Sequence, residues 1–190
     1  MADVLSADPK SLLDEIGRLR AEVVGLRAQI EDLDRLAHYD SLVPLLNRRG
    51  FVRQLEKLID RTNRYGDGGA MLFIDVDGLK MVNDSFGHHA GDAALVHVAK
   101  LLLGGVRQSD CVARFGGDEF AILLERTDAD QASDTAARLV DLIAGTDFGH
   151  DGHAIPLSAA IGIAIIEPGD LAEQVLIRAD RAMYEEKAAA

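Results

Sequence analysis

The chain has 190 residues, 32 acidic against 20 basic, a formal net charge of −12 and 48% hydrophobic residues. That apolar share supports a full core and excludes wholesale disorder, and the acidity argues against nonspecific binding of a nucleic-acid polymer or an anionic membrane. A single cysteine, Cys111, excludes an internal disulfide and reads as a buried structural thiol, while the absence of a span-length apolar run or a signal-peptide core sets the expected location as cytoplasmic.

Residues 12 to 37 read in alternating steps of four and three: Leu12, Ile16, Leu19, Val23, Leu26, Ile30, Leu33 and Ala37. Leucine fills every d position, Ile, Val, Ile and Ala fill a, and Leu5 extends the d series backwards beyond Pro9. β-Branched residues at a with leucine at d favour a parallel two-stranded coiled coil, so residues 1–38 are expected to form a dimerising stalk. The alternative is an amphipathic helix packed on its own domain. At 1.5 Å per residue the helix would be on the order of 40 Å long.

Residues 39–190 read as one globular unit. A helix is expected over 48–65, with Phe51, Leu55, Leu58 and Ile59 on one face, broken by Gly66-Asp67-Gly68-Gly69. The near-continuous apolar run 70–76 reads as a buried central strand. Further helices are expected over 90–103, 130–143 and 171–187, a hairpin across 111–124, and a strand region over 155–166 with Gly162 marking a bulge. Strands alternating with helices but including a hairpin indicate an α+β domain with an antiparallel or mixed sheet.

The run Arg114-Phe115-Gly116-Gly117-Asp118-Glu119-Phe120 sets two glycines directly before two carboxylates. It reads as a hairpin with acids at its tip, where glycine lets a ligand approach the backbone and the carboxylates are hard oxygen ligands suited to Mg²⁺; the alternative is an ordinary turn with solvated acids. Asp75 closes the central strand, and on a continuing strand Asp77, two residues on, would share its face. The loop Gly78-Leu79-Lys80, running into Met81-Val82-Asn83, offers backbone N–H groups and an ammonium to a phosphate, although it lacks a Walker ending. Asn83 and Asp92 together suit the hydrogen-bonding edge of guanine, with turn and helix capping as the alternative for Asn83-Asp84. His88 and His89 read as loop residues or as base and sugar contacts. Arg107 and Asp110 could grip a guanine or phosphate or form a surface ion pair, and Lys187 could meet phosphates or cap the last helix.

In this order, Asn47-Arg48-Arg49 with Phe51, Asp75-Val76-Asp77 with Lys80, Asn83-Asp84, Gly87-His88, Gly91-Asp92, the acidic hairpin, and Ala179-Asp180 with Tyr184 and Lys187 resemble the GGDEF family of diguanylate cyclases from about Asp40 to Lys187. The resemblance implies a palm-like (ferredoxin-like) central antiparallel sheet flanked by helices. It also implies condensation of two GTP into cyclic di-GMP and two pyrophosphates by face-to-face subunits of a homodimer. Carried over by position, Asp75, the Val76 carbonyl and Asp118 would hold Mg²⁺ or Mn²⁺. Asp118 and Glu119 would share metal and base roles, and Asn83, Asp92 and His88 would meet guanine. Gly116 and Gly117 would line the nucleotide, and Lys80 and Lys187 would contact phosphates. Arg107 and Asp110, nine and six residues before Gly116, match the family's inhibitory product site.

Three departures stand out. Leu42-Val43-Pro44-Leu45 replaces the usual Leu-Thr-Gly-Leu, Leu79 replaces a phenylalanine, and the arginine usual four residues after the Lys187 position is absent because the sequence ends at Ala190. The last point implies either a trimmed sequence or weaker phosphate affinity. The alternatives to an active cyclase are a degenerate domain that binds cyclic di-GMP or GTP without turnover, and a passive dimerisation module.

Overall fold

The computed structural model describes residues 9–189, so Leu5 and Ala190 lie outside the described residues. The chain divides into two compact units, the second beginning at His38. The first is a single helix, α1 (Pro9–His38). Its stripe Leu12, Ile16, Leu19, Val23, Leu26, Ile30 and Leu33 is exposed along its whole length, between 44% and 66%. Ion pairs such as Arg18 to Glu15 (2.7 Å) are solvent-exposed and contribute little to holding this helix.

The second unit contains β1 (Leu46–Asn47), α2 (Arg48–Tyr65), β2 (Gly69–Val76), α3 (Leu79–Phe86), α4 (His88–Gly105), β3 (Cys111–Arg114), β4 (Glu119–Glu125), α5 (Ala129–Gly145), β5 (Phe148–His150), β6 (His153–Ile155), β7 (Ala159–Ile166) and α6 (Ala172–Ala189). Five strands form one sheet in the order β1-β3-β4-β2-β7, antiparallel except for the short β1–β3 pair. The expected antiparallel sheet with flanking helices is therefore present, with β2 inside it. Local chemistry sets the helix ends. The Asn47 side chain accepts from Gly50 N–H at the start of α2, and Asp128 and Gln131 form a reciprocal capping box on α5.

Alternation along β2 sorts the core into two layers. Ala70, Leu72, Ile74 and Val76 pack with α3, α4 and α5, whereas Met71 and Phe73 pack with α2 and α6. Asp75 continues the second series, as do Ala121 and Leu123 on β4, so the α2/α6 side of the sheet carries the carboxylates.

Three expectations need correction. Gly162 is no bulge, because it pairs in regular register with Phe73. It is glycine because α6 crosses β7 there, where a Cβ would collide with the Met183 N–H and the Ala179 carbonyl. The strand region 155–166 is two elements: β6 pairs with β5 in a separate two-stranded sheet, and Pro156, which lacks a donor, follows it. Asp151 and Gly152, both at positive φ (48° and 80°), turn that hairpin. Of the expected loop Gly78-Leu79-Lys80, only Gly78, at φ 73°, lies outside helix α3.

Candidate functional site

The site forms where β2 ends beside the β3–β4 hairpin. Asp75 and Glu119 are directly opposed across the strands, and the next rung is closed by Val76 N–H donating to the Asp118 carbonyl (3.0 Å). The hairpin tip closes with Phe115 N–H on the Glu119 carbonyl (2.8 Å) and a bond from the Arg114 guanidinium to the Gly117 carbonyl (2.9 Å). Arg114 also reaches Asp40 (3.4 Å), whose carboxylate accepts from the N–H groups of Leu42 and Val43. A Cβ on Gly116 would collide with the Glu119 carboxylate, so this glycine makes room for the acid, whereas the space over Gly117 is open. Phe115 is gripped edge-on by Phe51 and Phe73 and lies under the Arg48 guanidinium (5.4 Å), which anchors the hairpin to α2 and β2.

Burial pushes the Glu119 carboxyl above the ordinary glutamate range, and repulsion from Asp118, Asp75 and Asp180 adds to the rise; Arg48 opposes it. Lys187 supplies the compensating cation. Its ammonium is ion-paired with Asp75 and lies 3.6 Å from Asp77, and the bond to Asp75 raises the lysine's own pKa. Asp77 is further fixed by Ser158, whose hydroxyl donates to it (2.9 Å). Lys187 thus neither caps α6 nor lies apart from the acids. Asp180 is a participant that the motif contained but to which sequence reasoning gave no role. As the side chains stand, no three His, Cys, Asp or Glu groups among the described residues converge tightly enough to hold an ion.

The remaining residues fall at two further places. Lys80 lies exposed in the first turn of α3, whose N-terminus has no side-chain cap. Asn83, on α3, lays its carboxamide against Gly91 of α4, where a Cβ would collide with it. This close approach explains Gly91, for which the sequence offered no reason, and seats Asn83 against the residue that precedes Asp92. His88 opens α4 and is exposed.

Arg107 and Asp110 lie at the opposite end of β3. The bond between them comes from the backbone N–H of Arg107 to the Asp110 carboxylate (2.9 Å), rather than from the guanidinium, and Glu125 N–H donates to the other oxygen (3.3 Å). Both line a cleft of about 290 Å³ with Gln131, Thr135 and Arg138. Arg138 is a second guanidinium there that the sequence reading missed, since only the packing of α5 brings it to the turn. Cys111 is partly buried, and its thiol is pushed up by burial, in keeping with a structural role. Among the described residues no helix is long and apolar enough to cross a membrane.

The GGDEF family profile, described as diguanylate cyclase, GGDEF domain, matches residues 37–190. Diguanylate cyclase TpbB of Pseudomonas aeruginosa is 40% identical over 186 residues, which cover 95% of this chain and 41% of TpbB. Probable diguanylate cyclase DgcE of Escherichia coli is 37% identical over 96% of this chain and 17% of its own length. The chain therefore spans well under half the length of these curated relatives. The crystal structure of the coiled coil and GGDEF domain of DgcB from Caulobacter crescentus, in complex with c-di-GMP, superposes with a TM-score of 0.89 at 27% identity, covering 95% of this chain and 96% of that one. With an acidic hairpin, a sheet and flanking helices of this form, and a match over nearly everything after α1, the chain belongs to the GGDEF family.

Proposed function

We propose that this protein is a diguanylate cyclase that condenses two GTP into cyclic di-GMP and two pyrophosphates. In this reading residues 1–38 form a parallel coiled-coil stalk and residues 39–190 the catalytic domain. The observation that carries it is the direct cross-strand pairing of Asp75 with Glu119 at a glycine hairpin, with a lysine ammonium drawn onto the acids.

The donors are of the kind Mg²⁺ or Mn²⁺ takes, and they would draw together to hold the ion. The set consists of hard oxygens, Glu119 is pushed up by burial and then by its acidic neighbours, and Lys187 stands where a cation is wanted. Asp75, the Val76 carbonyl and Asp118 would hold the ion, with Glu119 beside them. When bound, the metal neutralises phosphate charge and lowers the pKa of the attacking 3′-hydroxyl. The chain's own residues do the positioning. The open N–H groups at the start of α3, with Lys80, face phosphate oxygens. Asn83 and Asp92 offer guanine a donor, an acceptor and a carboxylate, with His88 close by. Gly116 and Gly117 let the nucleotide lie against the hairpin backbone. Asp118, with Glu119, is the candidate acceptor for the hydroxyl proton.

Each subunit holds one GTP, so in-line attack requires two subunits facing each other, and much of the rate comes from bringing the reactants together. The exposed Ile/Val/Leu stripe of α1 supports a dimer that keeps two domains at high effective concentration. Arg107, Asp110 and Arg138 would take cyclic di-GMP as an inhibitor, the guanidinium groups suiting guanine and phosphate.

The test is incubation with GTP and Mg²⁺ followed by chromatography. Cyclic di-GMP with two equivalents of pyrophosphate is expected. Nucleotide binding without product would instead identify a degenerate binding domain. Leu19→Asp with Leu26→Asp should convert a sedimenting dimer into monomers and lower the specific activity most at low protein concentration.

A further inference from the structure

The packing stripe of α6 ends in the site. Ala179 and Met183 lie against Gly162 of β7, and Lys187 follows one turn later at the same i, i+4 spacing, so the collision-tight crossing also fixes where the lysine projects. Its ammonium bridges Asp75, near the end of β2, and Asp77 just beyond the strand. The Asp75 carboxylate is 16% exposed, so its charge is poorly served by water. Asp118, Asp75 and Asp180 all bear on Glu119 with like charge. No three acids converge on a common point among the described residues.

Building on the metal role proposed above, we infer that Lys187 is a resident counter-cation that occupies the Asp75 end of the cluster and exchanges places with the metal when the nucleotide arrives. A bare divalent ion must break the Lys187 ion pair and leave an ammonium beside a dication, which is unfavourable. A metal carried on a triphosphate brings its own replacement partner, because the displaced ammonium moves from a carboxylate to a phosphate oxygen. The chain's residues thereby order loading: metal enters with nucleotide rather than ahead of it. Lys187 is in this sense a positioning residue, holding Asp75 and Asp77 in the orientation a cation needs.

The experiment measures Mn²⁺ binding to the nucleotide-free full chain by electron paramagnetic resonance of free Mn²⁺. Lys187→Met should bind Mn²⁺ about tenfold more tightly than wild type, the scale of a charge-assisted contact. Lys187→Arg, which keeps the bridge, should retain the weak wild-type affinity. Lys80→Met removes the same charge from a side chain with no ion pair among the described residues, and should change affinity less than about twofold, as expected for a more distant, screened charge. Adding Asp75→Asn to Lys187→Met should abolish the gain. Equal affinity in wild type and Lys187→Met, or a gain that persists with Asp75→Asn, overturns the inference. A thermal-shift arm separates that failure from failure of the site itself. If a nonhydrolysable GTP analogue with Mn²⁺ still raises the wild-type Tm, only the counter-cation role falls; if it does not, the proposed metal–nucleotide site falls with it.

Discussion

At the base of the β3–β4 hairpin, Asp110 accepts from the backbone N–H groups of Arg107 and Glu125. At its tip, Glu119 faces Asp75, Asp118 and Asp180, and among the described residues nothing donates a hydrogen bond to its carboxylate. Both acids lie in motifs that suggest ligand binding, yet their physics is opposite. Two N–H donors hold the Asp110 carboxylate and fix a turn, so that acid shapes the cleft walls whatever binds there. Glu119 and its neighbours carry charge that the protein only partly neutralises, through Lys187 on Asp75. The first arrangement is complete without a ligand; the second, in the proposed function, would be completed by a cation.

The largest expected effect separates chemistry from architecture at the tip. Asp118→Asn should lower cyclic di-GMP formation at least about 100-fold, the scale of removing a group that stabilises developing charge. It should leave the thermal midpoint unchanged or slightly raised, because one repelling charge has gone. A comparable fall in both activity and Tm would show that Asp118 braces the hairpin as Asp110 braces the turn, and the contrast would collapse.

Next is Gly162→Ala. The added methyl meets α6 backbone rather than a movable side chain, so overpacking should cost about 2–3 kcal/mol and lower Tm by roughly 5–10 °C. Because α6 carries Lys187, the damage should reach the tip and spare the base. Product binding at Arg107 and Arg138, followed by calorimetry below the lowered Tm, should persist while turnover falls.

At the base itself, Arg107→Ala and Asp110→Ala should diverge. Both should relieve inhibition by added cyclic di-GMP. Asp110→Ala also leaves two backbone donors without their acceptor and should cost about 1–2 kcal/mol, read as a lower midpoint in urea. Equal stability of the two variants would mean that the turn does not depend on its carboxylate.

How much of this was legible in the sequence follows from the range of each interaction. The stripe on α2, the buried run of β2 and the hairpin are local patterns, and their elements appear where expected. The alternation that puts Asp75 on the face of Met71 and Phe73 is equally local. Gly162 and Gly91 were misread or unexplained because their reason is a partner far along the chain: α6 for one, Asn83 for the other. Lys187 meeting Asp75, 112 residues away, and Arg138 meeting the Arg107 turn are likewise products of helix packing. The β5–β6 hairpin was readable from Asp151-Gly152 and Pro156, but the apolar run that follows masked it.

The smallest effect concerns the charge on Glu119. Its folded-state pKa lies above the unfolded value, so the native state holds the proton more tightly. Its ionisation is therefore a penalty that is absent below the ordinary glutamate pKa and grows as pH rises through the raised one. Glu119→Gln removes that penalty and should raise Tm at pH 7 by about 1–2 °C, since the group is only partly buried and screening by solvent trims the effect. Near pH 4 the gain should vanish. Mg²⁺ with a GTP analogue should then stabilise wild type more than Glu119→Gln, because the cation relieves the same repulsion that the substitution has already removed. A pH-independent gain would mean that packing against Gly116, rather than charge, limits Glu119. In that case the tip would resemble the base, with an acid held in place by its surroundings instead of one awaiting a cation.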